Sequence, residues 1–294
     1  MGFTRTEPTD EQLARADALR WYHALEFGTA QTRGRFGENT PPNMTLFGVM
    51  DLLKHVDVSN MKCLDVGPAH GLISFGLALQ GAKVTATNIG GGKAPQFALA
   101  EEIYGVNIDY RHGVALADTG REFEPGTFDL IVCAGVMYHL LNPADAFFRL
   151  RPLLKQNGLL LLETVYAKDM EEPVLLLNSE AETAFPQVTT YFLPSAATLH
   201  GLARLACFEP LATRVSQPAR FTMVARASLP EDIPERTDMC RAMHDHGFED
   251  PSFDLRGLRV EQAVSDIAYT GPTGSKTINV NRYTPDFPSH PKSI

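Results

Sequence analysis

No stretch of about 18 consecutive apolar residues occurs in this chain, which excludes the ordinary membrane-crossing helix. The opening Met1-Gly2-Phe3-Thr4-Arg5-Thr6-Glu7-Pro8 lacks the basic and apolar regions of a secretion signal. Gly2 follows Met1, but the acidic residues downstream argue against a lipid anchor, so a cytoplasmic location and no membrane partner are expected. An excess of basic residues is also missing: 26 Lys and Arg stand against 35 Asp and Glu, a formal net charge of -9. That balance disfavours a surface that grips nucleic acid through its phosphates.

Cysteine is scarce. Cys63, Cys133, Cys207 and Cys240 show no paired spacing and two fall in apolar runs, so reduced core thiols are expected rather than disulfides or metal ligands. His244-Asp245-His246 offers two imidazoles with no third or fourth ligand nearby; it reads as a solvated or interface segment, and no metal is expected. Internal repeats and low-complexity tracts are absent.

What is present is a chain of 294 residues, 44% of them hydrophobic. That is enough for one α/β domain of roughly 150–200 residues with extensions. Helical spacing from Glu11 to Leu25 predicts an amphipathic helix, followed by a Gly- and Pro-rich connector from Gly28 to Pro42 and a second helix from Met44 to His55. Strands and helices then alternate. Strands are expected at Cys63–Val66, Lys83–Thr87, Val106–Tyr110, Asp129–Ala134 and Leu159–Thr164. Helices are expected at Gly71–Leu79, Pro95–Tyr104, Pro143–Leu154 and Ser195–Ala206. Such alternation predicts a parallel sheet covered on both faces. Glu209–Val215 and Arg220–Ala227 are separated by too few residues for a crossover, so these last two strands should pair antiparallel.

Three regions follow: residues 1–55 as an N-terminal helical cap or lid, 56–229 as the main domain, and 230–294 as a C-terminal extension with one helical stretch near Leu258–Ile267. The extension either folds back on the domain or joins two subunits, which leaves a homodimer open. The segment 166–194 is too long for a simple connection and is expected to cover a substrate.

The segment Leu64-Asp65-Val66-Gly67-Pro68-Ala69-His70-Gly71 puts an apolar strand before a turn with two glycines and a helix after it. Such a turn lets backbone amides approach a ligand at the carboxyl edge of a sheet. Ala69 stands where a dinucleotide fingerprint needs glycine, which counts against a nicotinamide cofactor. Asp65 either orders this loop or attracts the cationic end of a ligand.

Asp-x-Gly-x-x-x-Gly after an apolar strand resembles the first motif of class I S-adenosylmethionine-dependent methyltransferases. Leu153-Leu154-Lys155-Gln156-Asn157-Gly158 is similar to a later turn of that superfamily, with Gln156 and Asn157 replacing Pro and Gly. Trp21-Tyr22-His23, Gly135-Val136-Met137-Tyr138-His139-Leu140-Leu141-Asn142-Pro143 and Leu161-Leu162-Glu163-Thr164 resemble the branch of the bacterial tRNA wobble-uridine carboxymethyltransferase and its methyltransferase relatives. The resemblance implies a doubly wound, Rossmann-like, seven-stranded α/β sheet with an antiparallel last strand, carrying S-adenosyl-L-methionine.

The cofactor-binding residues it implies are Asp65, Gly67, Pro68, Gly71, Asn88, Val114, Gly135 and Tyr138. Asn88 departs from the family's usual acidic residue at the end of the second strand, and neutral hydrogen bonds are worth about 0.5–1.5 kcal/mol against about 1.5–3 for charged ones. His112-Gly113-Val114 offers no Asp toward an adenine amine, so backbone and apolar contacts should hold that ring. His139 is the candidate general base, since an imidazole can accept an acceptor's proton near neutrality. Its alternative is a packing role. Tyr138 should line the cofactor pocket. Tyr22 and His23, on the expected first helix, are either its packed face or groups presented to substrate, and Glu163 either orients the acceptor or braces a loop. The expected activity is methylation of an O or N atom of a small molecule. Alternatives are a tRNA-modifying transferase, with S-adenosylmethionine or a carboxylated analogue as donor, and a non-catalytic cofactor-binding or partner subunit.

Overall fold

The computed structural model describes residues 7–35, 40–178, 189–216, 219–229, 267 and 269–278. Helix α1 (Asp10–Asp17) opens the chain, followed by a hairpin of β1 (Glu26–Phe27) and β2 (Ala30–Gln31) and by α2 (Phe47–Leu53). The central alternation is β3 (Lys62–Val66), α3 (Leu72–Leu79), β4 (Lys83–Asn88), α4 (Pro95–Tyr104), β5 (Asp109–His112), α5 (Thr119–Glu122), β6 (Phe128–Ala134), α6 (Asp145–Phe148) and β7 (Leu154–Val165). A second hairpin, β8 (Leu175–Leu177) and β9 (Phe192–Pro194), precedes α7 (Ala196–Leu205), β10 (Phe208–Ser216), β11 (Arg220–Ala227) and β12 (Gly274–Thr277).

The main sheet has eight strands in the order β12-β10-β11-β7-β6-β3-β4-β5. Strands β5, β4, β3, β6 and β7 run parallel, and β11 pairs antiparallel with both β7 and β10, as the short connection required. Strand order reverses at β3, with β4 on one side and β6 on the other, so the crevice at their carboxyl ends is where a doubly wound sheet binds ligands. The period-2 alternation of each strand serves two cores. Leu130, Val132, Leu159 and Leu161 join the helices α2, α3 and α4 on one face. Ile131, Cys133, Leu160 and Leu162 meet α6 and α7 on the other. Cys63, Cys133 and Cys207 are free and buried. Burial raises the Cys63 and Cys133 thiol pKa values, so both stay protonated. Cys240 and His244-Asp245-His246 lie outside the described residues.

Several expectations need correction. An eighth strand, β12, adds itself beside β10 in parallel, where seven strands were expected. It comes from the C-terminal extension, which also sends Tyr269 into a bridge with Val56; of the helical stretch near Leu258–Ile267, only Ile267 is described, and it is buried.

The first helix stops at Asp17, not Leu25. The Trp21 indole donates to the Ala16 carbonyl at 2.8 Å, and the Tyr22 amide is taken by His70 Nδ1 at 2.8 Å, so Trp21, Tyr22 and His23 leave the helix. The connector after it begins inside a hairpin, with β1 just before Gly28 and β2 within the connector.

The Pro143–Leu154 helix is reduced to α6 and a 3-10 turn at Arg151–Leu153. Pro152 cannot continue a helix, and the buried Arg151 guanidinium donates to the carbonyls of Cys207 at 3.0 Å and Ser228 at 2.6 Å. Strand β7 therefore begins five residues early, crossing the Gln156-Asn157-Gly158 turn with Asn157 at φ 64.

Candidate functional site

Gly67 carries the turn out of β3. Its φ is 73 and its amide donates to the Thr87 carbonyl at 2.9 Å; a Cβ there would come within 2.6 Å of Val136 Cγ2. Gly71, at φ 93, caps α3, and a Cβ on it would strike the Phe75 ring. Its amide closes the turn on the Pro68 carbonyl at 2.8 Å.

A cavity of about 550 Å³ opens at the carboxyl edge of β3, β4, β6 and β7. Gly67, Thr87, Asn88 and Val114 form one end; Tyr22, His23, Tyr138, His139, Glu163 and Arg220 form another, with Gly135 also in the wall. The Asn88 amide donates to the Tyr110 hydroxyl at 3.1 Å, while its carbonyl receives the Val114 amide at 3.1 Å. Thr87 Oγ1 is buried with no partner among the described residues.

Three sequence candidates, Asp65, Pro68 and Gly71, are not in the cavity wall. Asp65 is buried behind the turn and accepts from the Ser74 hydroxyl at 2.6 Å; burial pushes its pKa up to about 6 against those hydrogen bonds. Its carboxylate therefore braces α3 against β3, and the ligand-attracting alternative is not supported. Pro68 and Gly71 shape the turn.

At the other end the 3-10 turn Met137–His139 presents two rings 4.2 Å apart, Tyr138 and His139. His139 Nδ1 lies 2.8 Å from the Thr189 carbonyl, which can only accept; Nδ1 thus carries a proton, and Nε2 is the nitrogen that a neutral ring offers as acceptor. The segment 166–194 supplies Thr189, and its Tyr191 amide donates to the Tyr138 carbonyl at 3.0 Å; residues 179–188 are outside the described set. His23 is buried with Nδ1 unpartnered among the described residues, and burial pushes its pKa down to about 3, so the imidazole is neutral. Tyr22 packs on it at a ring distance of 4.7 Å and is itself covered by Arg35 at 4.1 Å.

Arg220 was not singled out from the sequence. It stacks over Tyr138 at 5.2 Å and pairs with Glu163 at 3.2 Å. An arginine opening the apolar run Arg220–Ala227 was the available signal, and only the β7–β11 pairing shows what it meets. His70, which ties the glycine turn to the N-terminal segment, was also missed.

A family model described as a methyltransferase domain matches residues 46–213, more than half of the 294-residue chain. The chain belongs to the methyltransferase-domain family. Ubiquinone biosynthesis O-methyltransferases are among the curated relatives of this family member. The one from Azotobacter vinelandii is 32% identical over 112 residues, 38% of this chain and 47% of that protein. The one from Xylella fastidiosa is 35% identical over 116 residues, 38% of this chain and 45% of that protein. The chain thus spans about half the length of the curated relatives it matches.

Among solved structures, the Burkholderia thailandensis 1,6-didemethyltoxoflavin-N1-methyltransferase, with its substrate and S-adenosylhomocysteine bound, has a TM-score of 0.50 at 20% identity, covering 64% of this chain and 80% of that one. The cyclase SpnF gives 0.53 at 14% identity, covering 74% and 92%. At these identities the likeness shows the methyltransferase-domain fold alone, and a neighbour named a cyclase illustrates that the fold does not fix the reaction.

Proposed function

We propose that this chain transfers the sulfonium methyl group of S-adenosyl-L-methionine to an oxygen or nitrogen atom of a small molecule. The observation that carries this reading is the single cavity that joins Gly67 and Asn88, at the strand-order reversal, to Tyr138 and His139. Its size lies within the roughly 300–1,000 Å³ of small-molecule sites. The residues present fit the donor: Gly67 leaves the crevice open where any Cβ would fill it, and Asn88 and the unpartnered Thr87 hydroxyl offer neutral hydrogen bonds. Bound there, the donor supplies an electrophilic methyl on a good leaving group. The chain's own contribution is then orientation, worth roughly 7–11 kcal/mol in favourable cases, and removal of one proton.

We assign the second role to His139, whose Nδ1 is held by the Thr189 carbonyl so that Nε2 is the nitrogen that would take the proton. Tyr22 and His23 line the acceptor side, and Thr189 meets the His139 ring there. The names of the curated relatives support an oxygen acceptor. The narrower likeness to the wobble-uridine branch would bring an RNA acceptor; the net charge of -9 and the mostly apolar cavity wall favour a small molecule.

Calorimetry with S-adenosylmethionine and S-adenosylhomocysteine tests the cofactor, and properly folded protein that binds neither would end the proposal. In a screen of labelled methyl transfer to hydroxyl- and amine-bearing small molecules, His139→Ala should lower turnover about 10²–10⁴-fold with product affinity unchanged. An unaltered rate removes His139 from proton transfer.

A further inference from the structure

Among the described residues, the acceptor end of the cavity wall carries a guanidinium and a carboxylate that pair with each other, Arg220 and Glu163. Thr222 is the cross-strand partner of Glu163, which places Arg220, two residues earlier on β11, on the same side of the sheet. Arg220 Nη1 lies 3.2 Å from Glu163 Oε1, with side-chain exposures of 4% and 1%. Both residues belong to the cavity wall. Two neighbouring polar groups add no charge: burial holds His23 neutral and raises the Tyr138 pKa, so its hydroxyl keeps its proton. Arg35, over the Tyr22 ring, is exposed, and its charge helps to lower the His23 pKa.

We propose that Glu163 sets acceptor specificity by neutralising Arg220, so that this pole admits uncharged methyl acceptors and excludes those carrying a carboxylate. The inference rests on the methyl-transfer reading of the cavity. A buried ion pair tolerates a neutral hydroxyl or N–H beside it. A third charge brought into the same apolar pocket loses its water and gains no unpaired counterion, since Glu163 repels any anion that Arg220 attracts. Discrimination of this kind works through the repulsive element. Remove the Glu163 charge and the buried guanidinium loses the carboxylate that faces it, so an entering carboxylate can take that place.

The full chain, saturated with S-adenosylhomocysteine, is titrated calorimetrically with 4-methylphenol and with 4-methylbenzoate, which share a ring and differ in charge. Wild-type protein should prefer the phenol by at least about tenfold, and Glu163→Gln should invert the order, tightening the benzoate by about tenfold or more. A second variant covers the chance that the lone buried cation unfolds the protein: Glu163→Gln with Arg220→Gln removes both charges and should keep the preference for the phenol. The proposal is overturned by wild-type protein that prefers the benzoate or takes neither probe, by Glu163→Gln with an unchanged preference, or by a double variant that prefers the benzoate. Failure to bind S-adenosylhomocysteine at all strikes the methyl-transfer reading instead.

Discussion

At Asp65, burial and hydrogen bonding act in opposite directions on one carboxylate. Burial raises its pKa from 3.8 to about 6, while the Ser74 hydroxyl and amide stabilise the ionised form. Because the folded pKa is the higher one, the linked stability is fully present below about pH 4 and is lost as pH rises through 6. Ionisation near pH 8 then costs about 2–3 kcal/mol at about 1.4 kcal/mol per pKa unit. Asp65→Asn keeps an oxygen for Ser74 and avoids the buried charge. Urea unfolding should show it about 1–3 kcal/mol more stable than wild type at pH 8, with the gain gone at pH 4. Its affinity for S-adenosylhomocysteine should be retained; a tenfold loss would return Asp65 to the role of a donor ligand. The Asp-x-Gly-x-x-x-Gly pattern was legible because Gly67 and Gly71 both need positive φ and no Cβ, requirements written in residue type. The Arg220–Glu163 contact, 57 residues apart, was not, since it depends on strand register.

Between elements, the glycine turn and the N-terminal segment are joined by one directional contact. The Tyr22 amide donates to His70 Nδ1, and the Trp21 ring meets His70 edge-on at 5.9 Å. Helical periodicity continued to Leu25, yet the helix stops at Asp17 and an acceptor 48 residues away takes the Tyr22 amide. Periodicity records which faces are apolar and carries no information on such competition. The break in the Pro143–Leu154 helix, by contrast, was legible in Pro152 itself. His70→Ala removes the acceptor and should weaken local protection of the segment around Tyr22 by about 1–2 kcal/mol, seen as faster amide hydrogen exchange there while the β3 and β6 amides stay protected. His70→Asn, whose side-chain oxygen can accept, should restore part of it. Equal exchange in His70→Ala and wild type would show that packing alone holds the segment.

For the whole molecule, the alternating order and both apolar faces of the strands made the doubly wound sheet readable. Strand β12 was not readable, because Gly-Ser-Lys-Thr is exposed at every position and has no alternation to detect. Where the fold's polar residues are buried also sets its response to acid. His23 has its pKa lowered from 6.5 to about 3 by burial, so its contribution is present above pH 6.5 and is lost as pH falls toward 3. Asp65 moves the other way over pH 6 to 4, and the two nearly offset one another there. Wild-type stability should therefore change little on this account between pH 6 and 4 and fall below it. His23→Phe deletes one side of the balance: its stability relative to wild type should rise by about 3 kcal/mol between pH 7 and pH 4, at about 1.4 kcal/mol per pKa unit. Changes in net charge are common to both proteins and cancel in the difference. Parallel denaturation midpoints at the two pH values would mean that His23 is solvated or hydrogen-bonded in the folded protein, and the neutral character assigned to that end of the cavity would fall with it.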